Sequence, residues 1–252
     1  MPLRLLLTLC GLALVVAGDR ARAQTDPAPT TGILEDRVDT LLREWSARTG
    51  KVKSLYAEFT RVTFDKVWQQ TTKDDGSARY LHPNKARLDV TGERAESYVL
   101  TGAGEIWEYK PPIKQITIYQ LPPDMVQQDN IQDGPLPFLF GTEPAKAKAR
   151  YFLKIVEETD AMVHLLINPK LQEDQQNFTS AQLWLSKETF LPNKLMFLEP
   201  NGNEVSYEFK GVWTNIEINT ADFVPQTLPA PWRVIRKQVA DKDDAADGKL
   251  RR

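Results

Sequence analysis

Two histidines, one cysteine and one acidic pair are the residues of this 252-residue chain whose types could carry chemistry. His82 and His164 stand far apart, and a zinc site needs several histidine, cysteine or carboxylate ligands that converge. His164 lies in the apolar run Met162-Val163-His164-Leu165 and reads as a half-buried structural histidine. Lys73-Asp74-Asp75 could serve acid–base work, but Asp75-Gly76 reads as a hairpin turn, which explains the acidic pair better. No G-x-S-x-G motif and no phosphate-cradling glycine loop occurs. The residues therefore predict a protein that is not an enzyme and that holds no metal and no cofactor.

The chemistry left is the binding of apolar matter, and the stretch Gly104–Gly141 points to it. Trp107 and Tyr109 share one strand parity, and Glu108 and Lys110 take the other. Ile116 and Ile118 repeat the pattern against Thr117 and Tyr119. Leu136, Phe138, Leu139 and Phe140 form a segment too short for a core helix, so they must cover something apolar. Parity supplies the lining candidates for a lidded pocket: Leu55, Ala57 and Phe59, then Leu88 and Val90, Trp107 and Tyr109, and Ile116 and Ile118. The same residues would serve equally as an ordinary core.

The elements that must position them follow from periodicity. Residues 1–23 read as a signal peptide: Arg4, an apolar run from Leu5 to Ala17, and Ala21-Arg22-Ala23 as the cleavage site. Cys10 lies inside this leader, so the mature chain would have no thiol chemistry and no lipid-modified cysteine. Loss of the leader takes three arginines and one aspartate, and the formal charge falls from −2 to −4. No basic patch suggests a nucleic-acid partner.

Residues 24–31 read as a linker. A helix follows from Gly32 to Thr49, with Leu34, Val38, Leu41, Leu42 and Trp45 on one stripe and Thr31 as its cap. After Gly50 the period becomes two. Short strands follow, ending with 204–214, separated by turn signals such as His82-Pro83-Asn84, Pro111-Pro112 and Pro200-Asn201-Gly202. Val205, Tyr207 and Phe209 alternate with Ser206, Glu208 and Lys210, which implies one buried and one wet face. The domain is expected over 32–234, with 235–252 a charged disordered tail.

In this order the elements resemble the periplasmic outer-membrane lipoprotein carriers (LolA/LolB-like), and most of all their divergent branch found in Planctomycetes. The residues that carry the resemblance are Ser54-Leu55-Tyr56-Ala57-Glu58-Phe59, Leu81-His82-Pro83-Asn84, the run Gly104–Pro111, Pro137-Phe138-Leu139-Phe140 and Ile167-Asn168-Pro169-Lys170. It spans roughly residues 33–232. The resemblance implies a mainly β (α+β) fold. This would be an unclosed antiparallel β-barrel, with an N-terminal amphipathic helix and a short lid helix over an apolar concave face.

The resemblance further implies a periplasmic, monomeric carrier that shields lipid or lipoprotein acyl chains and meets inner- and outer-membrane transport components. His82 stands where such carriers have an arginine that latches the lid, and imidazole offers fewer donors and a charge that changes near neutral pH. The long acidic loop Gln127–Asp133 exceeds what a carrier of this type needs. Two other functions fit the same chain: an envelope sensor or regulatory interaction module on this fold, and, more remotely, a carboxylate-dependent envelope hydrolase.

Overall fold

The computed structural model describes residues 30–121, 138, 144–226 and 231–238. The leader, most of the linker, the Gln127–Asp133 loop, Leu136, Leu139, Phe140 and residues 239–252 lie outside the described residues.

Helix α1 runs Thr30–Thr49, so Thr31 sits within the helix rather than capping it. Val38, Leu41, Leu42 and Trp45, spaced three and four apart, are all buried. The helix stops at Gly50, whose N–H donates to the Ser46 carbonyl at 2.9 Å.

The strands are β1 (Ser54–Asp65), β2 (Gln70–Leu81), β3 (Lys85–Val90), β4 (Glu96–Leu100), β5 (Glu105–Lys110) and β6 (Gln115–Gln120). Then come helix α2 (Pro144–Arg150), β7 (Tyr151–Glu158), β8 (Met162–Pro169), the short helix α3 (Gln172–Gln175), β9 (Ser180–Ser186), β10 (Pro192–Leu198), β11 (Glu204–Thr214) and β12 (Arg233–Gln238). All twelve form one sheet in the order β12-β6-β5-β4-β3-β2-β1-β11-β10-β9-β8-β7. The order ends at β12 and β7, so the barrel is unclosed. The β1–β11 pairing joins the two halves of the chain. Every pairing is antiparallel except β12 with β6, which makes the sheet mixed.

Two expectations are corrected here. Asp75-Gly76 is not a turn, because β2 runs straight through it and pairs with β1 from Ser54↔Leu81 to Asp65↔Gln70. Gly76 lies opposite Phe59, where a Cβ would stand 2.5 Å from the Phe59 ring and 2.6 Å from the Asp89 carbonyl oxygen. The missing side chain makes room for a ring instead of bending the backbone. Secondly, the fold continues past residue 234, since β12 reaches Gln238. Five of its six residues are exposed, so no apolar period marks it, and only the β6 edge recruits it.

Three buried clusters result. Helix α1 packs with Val163, Leu165, Ile167, Leu183 and Leu195 of β8–β10. Leu55, Ala57, Phe59, Leu88, Val90, Tyr98, Val205 and Tyr207 form the second. The third is Val99, Tyr109, Ile116 and Ile118, with Trp107 and Trp232 packed against it.

Candidate functional site

Residues directly opposite each other in a ladder present their side chains to the same face of the sheet. Following the pairs across the sheet assigns every candidate that lies on a strand to a face. Ala57 pairs with Ala78, Ala78 with Leu88, Leu88 with Tyr98, Tyr98 with Glu108, and Glu108 with Thr117. Phe59 pairs with Gly76, and Gly76 with Val90. Leu55, Phe59, Leu88 and Val90 therefore lie together on the inner face, and all four are buried.

Trp107 and Tyr109 do not join them. Trp107 pairs with Val99 and Ile118, and Tyr109 with Ser97 and Ile116, which places all four predicted residues of β5 and β6 on the outer face. Their parity within each strand is as the sequence suggested, but the register carries it to the opposite side from Leu88 and Val90. A strap between β11 and β12, described over residues 215–226 and 231–232, covers them there. A 3-10 turn, Thr220–Phe223, is capped by Asn219, whose Oδ1 accepts from the Ala221 N–H at 3.0 Å, and Phe223 is buried. Arg87 donates to the Asp222 carbonyl at 3.0 Å. The Tyr109 hydroxyl donates to the Gln226 carbonyl at 3.2 Å and accepts from its N–H at 2.9 Å. A cleft of about 180 Å³ remains between Tyr109, Val99, Val224 and Trp232.

Apart from Ile106, what β5 and β6 turn inward is polar. Glu108 is only 4% exposed. Its carboxylate accepts from the Tyr98 hydroxyl at 3.0 Å, the Tyr119 hydroxyl at 3.1 Å and the Lys110 ammonium at 2.5 Å. Beside it, buried Arg61 donates to Asp74 at 3.1 Å and pairs with Glu96, and Arg94 donates to Asp74 at 3.1 Å. Burial, with Glu96 and Glu108 nearby, pushes the Tyr98 phenol well above its ordinary range. Burial likewise pushes Tyr207 up to about 12, against the opposing effect of Arg61. Three cations meet three carboxylates in this cluster, so it is neutral and its charges are committed to one another. Asp74, read as a turn residue, is one of its buried members.

The inner apolar surface has a seam. Phe197 and Phe209 pack against both the α1 cluster and the β1–β3 cluster. Phe138, the one described member of the expected lid, rests beside this seam. Its ring centroid is 5.2 Å from Tyr151, 6.0 Å from Phe178 and 6.3 Å from Phe197. His82 is exposed in the β2–β3 turn, with its Nδ1 3.3 Å from the Tyr80 hydroxyl. His164 stacks on Trp184 at 4.3 Å and meets Gln182 at 2.9 Å on the outer face, a structural role. Sequence reasoning places Phe209 on a buried face without making it a site candidate, and it does not single out Phe197, Tyr151 or Phe178. Phe209 shares the parity of Val205 and Tyr207, which was a usable signal; Phe178 lies in a connection with no period to mark it.

The family model for the outer membrane lipoprotein carrier protein LolA matches residues 50–226. Among curated proteins, no sequence matches this chain significantly. A conserved protein of Thermus thermophilus has a similar structure, with 13% identity, a TM-score of 0.49, and 80% of this chain and 99% of that one covered. A DUF1329 family protein from Desulfovibrio piger is similar at 9% identity and TM-score 0.45, over 76% of this chain and 97% of that one. The MucA/MucB complex of Pseudomonas aeruginosa is similar at 14% identity and TM-score 0.42, over 75% of this chain and 61% of that one.

Proposed function

This chain belongs to the outer membrane lipoprotein carrier family, and from that premise we propose that it is a non-enzymatic periplasmic carrier that shelters lipid or lipoprotein acyl chains on the inner face of its half-barrel. The observation that supports this reading is the aromatic seam at Phe197 and Phe209, shared by two apolar clusters and flanked by Phe138. An acyl chain needs apolar area and no directional partners, at roughly 25 cal/mol per Å² removed from water. Rings that meet edge-on, as Phe178 does Phe197 at 5.5 Å, can part to admit a chain and close behind it.

In this reading Leu55, Phe59, Leu88 and Val90 form the floor, and Phe138 is the plug that cargo displaces. The closing contact is then the aromatic seat of Phe138 and not His82. Trp107, Tyr109, Ile116 and Ile118 hold the strap against the outer face and touch no cargo.

The test pairs lipid analysis with a fluorescent acyl probe. Protein purified without detergent should release lipid detectable by mass spectrometry. Phe197→Ala removes about 1.4 kcal/mol of apolar contact and should weaken probe binding about tenfold. Trp107→Ala should leave it unchanged. No bound lipid together with no probe binding, or sensitivity at Trp107 and not at Phe197, would refute the assignment.

A further inference from the structure

Strand direction places the β1–β2, β3–β4, β5–β6, β8–β9 and β10–β11 connections on one rim of the sheet. The β1–β2 hairpin is 12 residues long on each side, and its tip carries Val67 and Trp68. These are 76% and 73% exposed, the most exposed large hydrophobic side chains among the described residues. Ile113, in the β5–β6 connection of the same rim, is 63% exposed.

The tip is built to hold this pair outward. The Asp65 carboxylate accepts from the Val67 N–H at 2.9 Å and the Trp68 N–H at 3.0 Å. Asn203, from the neighbouring β10–β11 turn, accepts from the Lys66 N–H at 3.0 Å. The Gln69 side chain donates to the Lys66 carbonyl at 2.7 Å. Each of these backbone groups faces a protein partner although the turn is exposed to water. Such pairing is not required in water, and it lowers the cost of bringing the turn against the poorly hydrated boundary of a bilayer.

We propose that this rim contacts a lipid bilayer directly, with Val67 and Trp68 as a wedge at the head-group boundary. Tryptophan is suited to that boundary, since its ring is apolar and its N–H remains hydrated. Lys66 in the same turn and Lys114 in the β5–β6 connection are exposed on this rim, where anionic head groups would meet them. A protein partner fits less well, since two side chains on a convex tip fall far short of the roughly 800 Å² a side of a stable interface. So small an anchor holds weakly and reversibly, as a carrier that visits membranes requires.

Flotation with vesicles of phosphatidylethanolamine and phosphatidylglycerol tests this, with parent and variant compared in the same processed form. The parent should float, and Val67→Ser/Trp68→Ser should lower the bound fraction about tenfold while the melting temperature stays unchanged. Lipids with brominated acyl chains should quench parent tryptophan emission, and Trp68→Ser should abolish most of that quenching. Equal flotation of both proteins, no flotation of the parent, or loss of a dimer as the sole effect of the variant would overturn the proposal. Since the vesicle assay requires no cargo, its failure is separate from failure of the carrier reading.

Discussion

Glu108 offers the sharpest test of which side of β5 faces inward. Were it a solvent-facing strand residue, as strand parity alone suggests, Glu108→Ala would change stability by no more than about 0.5 kcal/mol. The structure instead gives its carboxylate three donors and 4% exposure. Removing it strands the Lys110 ammonium, whose side chain is 17% exposed, and strips one acceptor from Tyr98 and from Tyr119. Breaking a buried charge pair from one side costs about 3–5 kcal/mol. Residual access of water to Lys110 argues for the lower part of that range, so about 3 kcal/mol is expected. Glu108→Gln, which keeps the volume and one acceptor oxygen, should lose less. Glu108→Leu combined with Lys110→Met removes both charges and should recover most of the loss, because a hydrophobic replacement of the whole pair is often near neutral. Urea unfolding followed by far-ultraviolet circular dichroism reads all three, with the slope checked for constancy. A Glu108→Ala variant within about 0.5 kcal/mol of the parent would refute the inward placement of β5's charges and the assignment of Trp107 and Tyr109 to the outer face.

Two further outcomes follow from the packing. Gly76→Ala puts a methyl 2.5 Å from the Phe59 ring and 2.6 Å from a backbone oxygen, so it should destabilise the protein by about 1–3 kcal/mol in the same assay. A turn glycine without positive φ would tolerate the change. Arg37 of α1 and Lys187 hold the Glu158 carboxyl of β7 down to about 2, below its usual 4.5. A carboxyl depressed in the folded state stabilises above its unfolded pKa and loses that contribution as pH falls through the folded one. Stability should therefore decline between about pH 4.5 and pH 2, and Glu158→Gln should flatten that slope in unfolding curves recorded across the window.

Periodicity made much of this protein readable in advance. The α1 stripe of Val38, Leu41, Leu42 and Trp45 is a property of one segment, and so is the alternation of Val205, Tyr207 and Phe209. Local geometry fixes which residues of a single helix or strand share a side. It does not fix which side of one strand continues which side of the next. That is set by register, and a one-residue difference exchanges the faces. Leu88 and Trp107 both looked like lining residues, yet the pairs Leu88↔Tyr98↔Glu108 send Trp107 outward.

Residues without local period were equally hidden. β12 is mostly exposed and exists through its pairing with β6. Gly76 carries the sequence of a turn and serves as a space beneath a ring. The sequence by itself determined α1, most of the strands, their order and the family. The tertiary structure decided which apolar residues meet, because the meeting depends on cross-strand register and on a strap more than a hundred residues from the strands it covers.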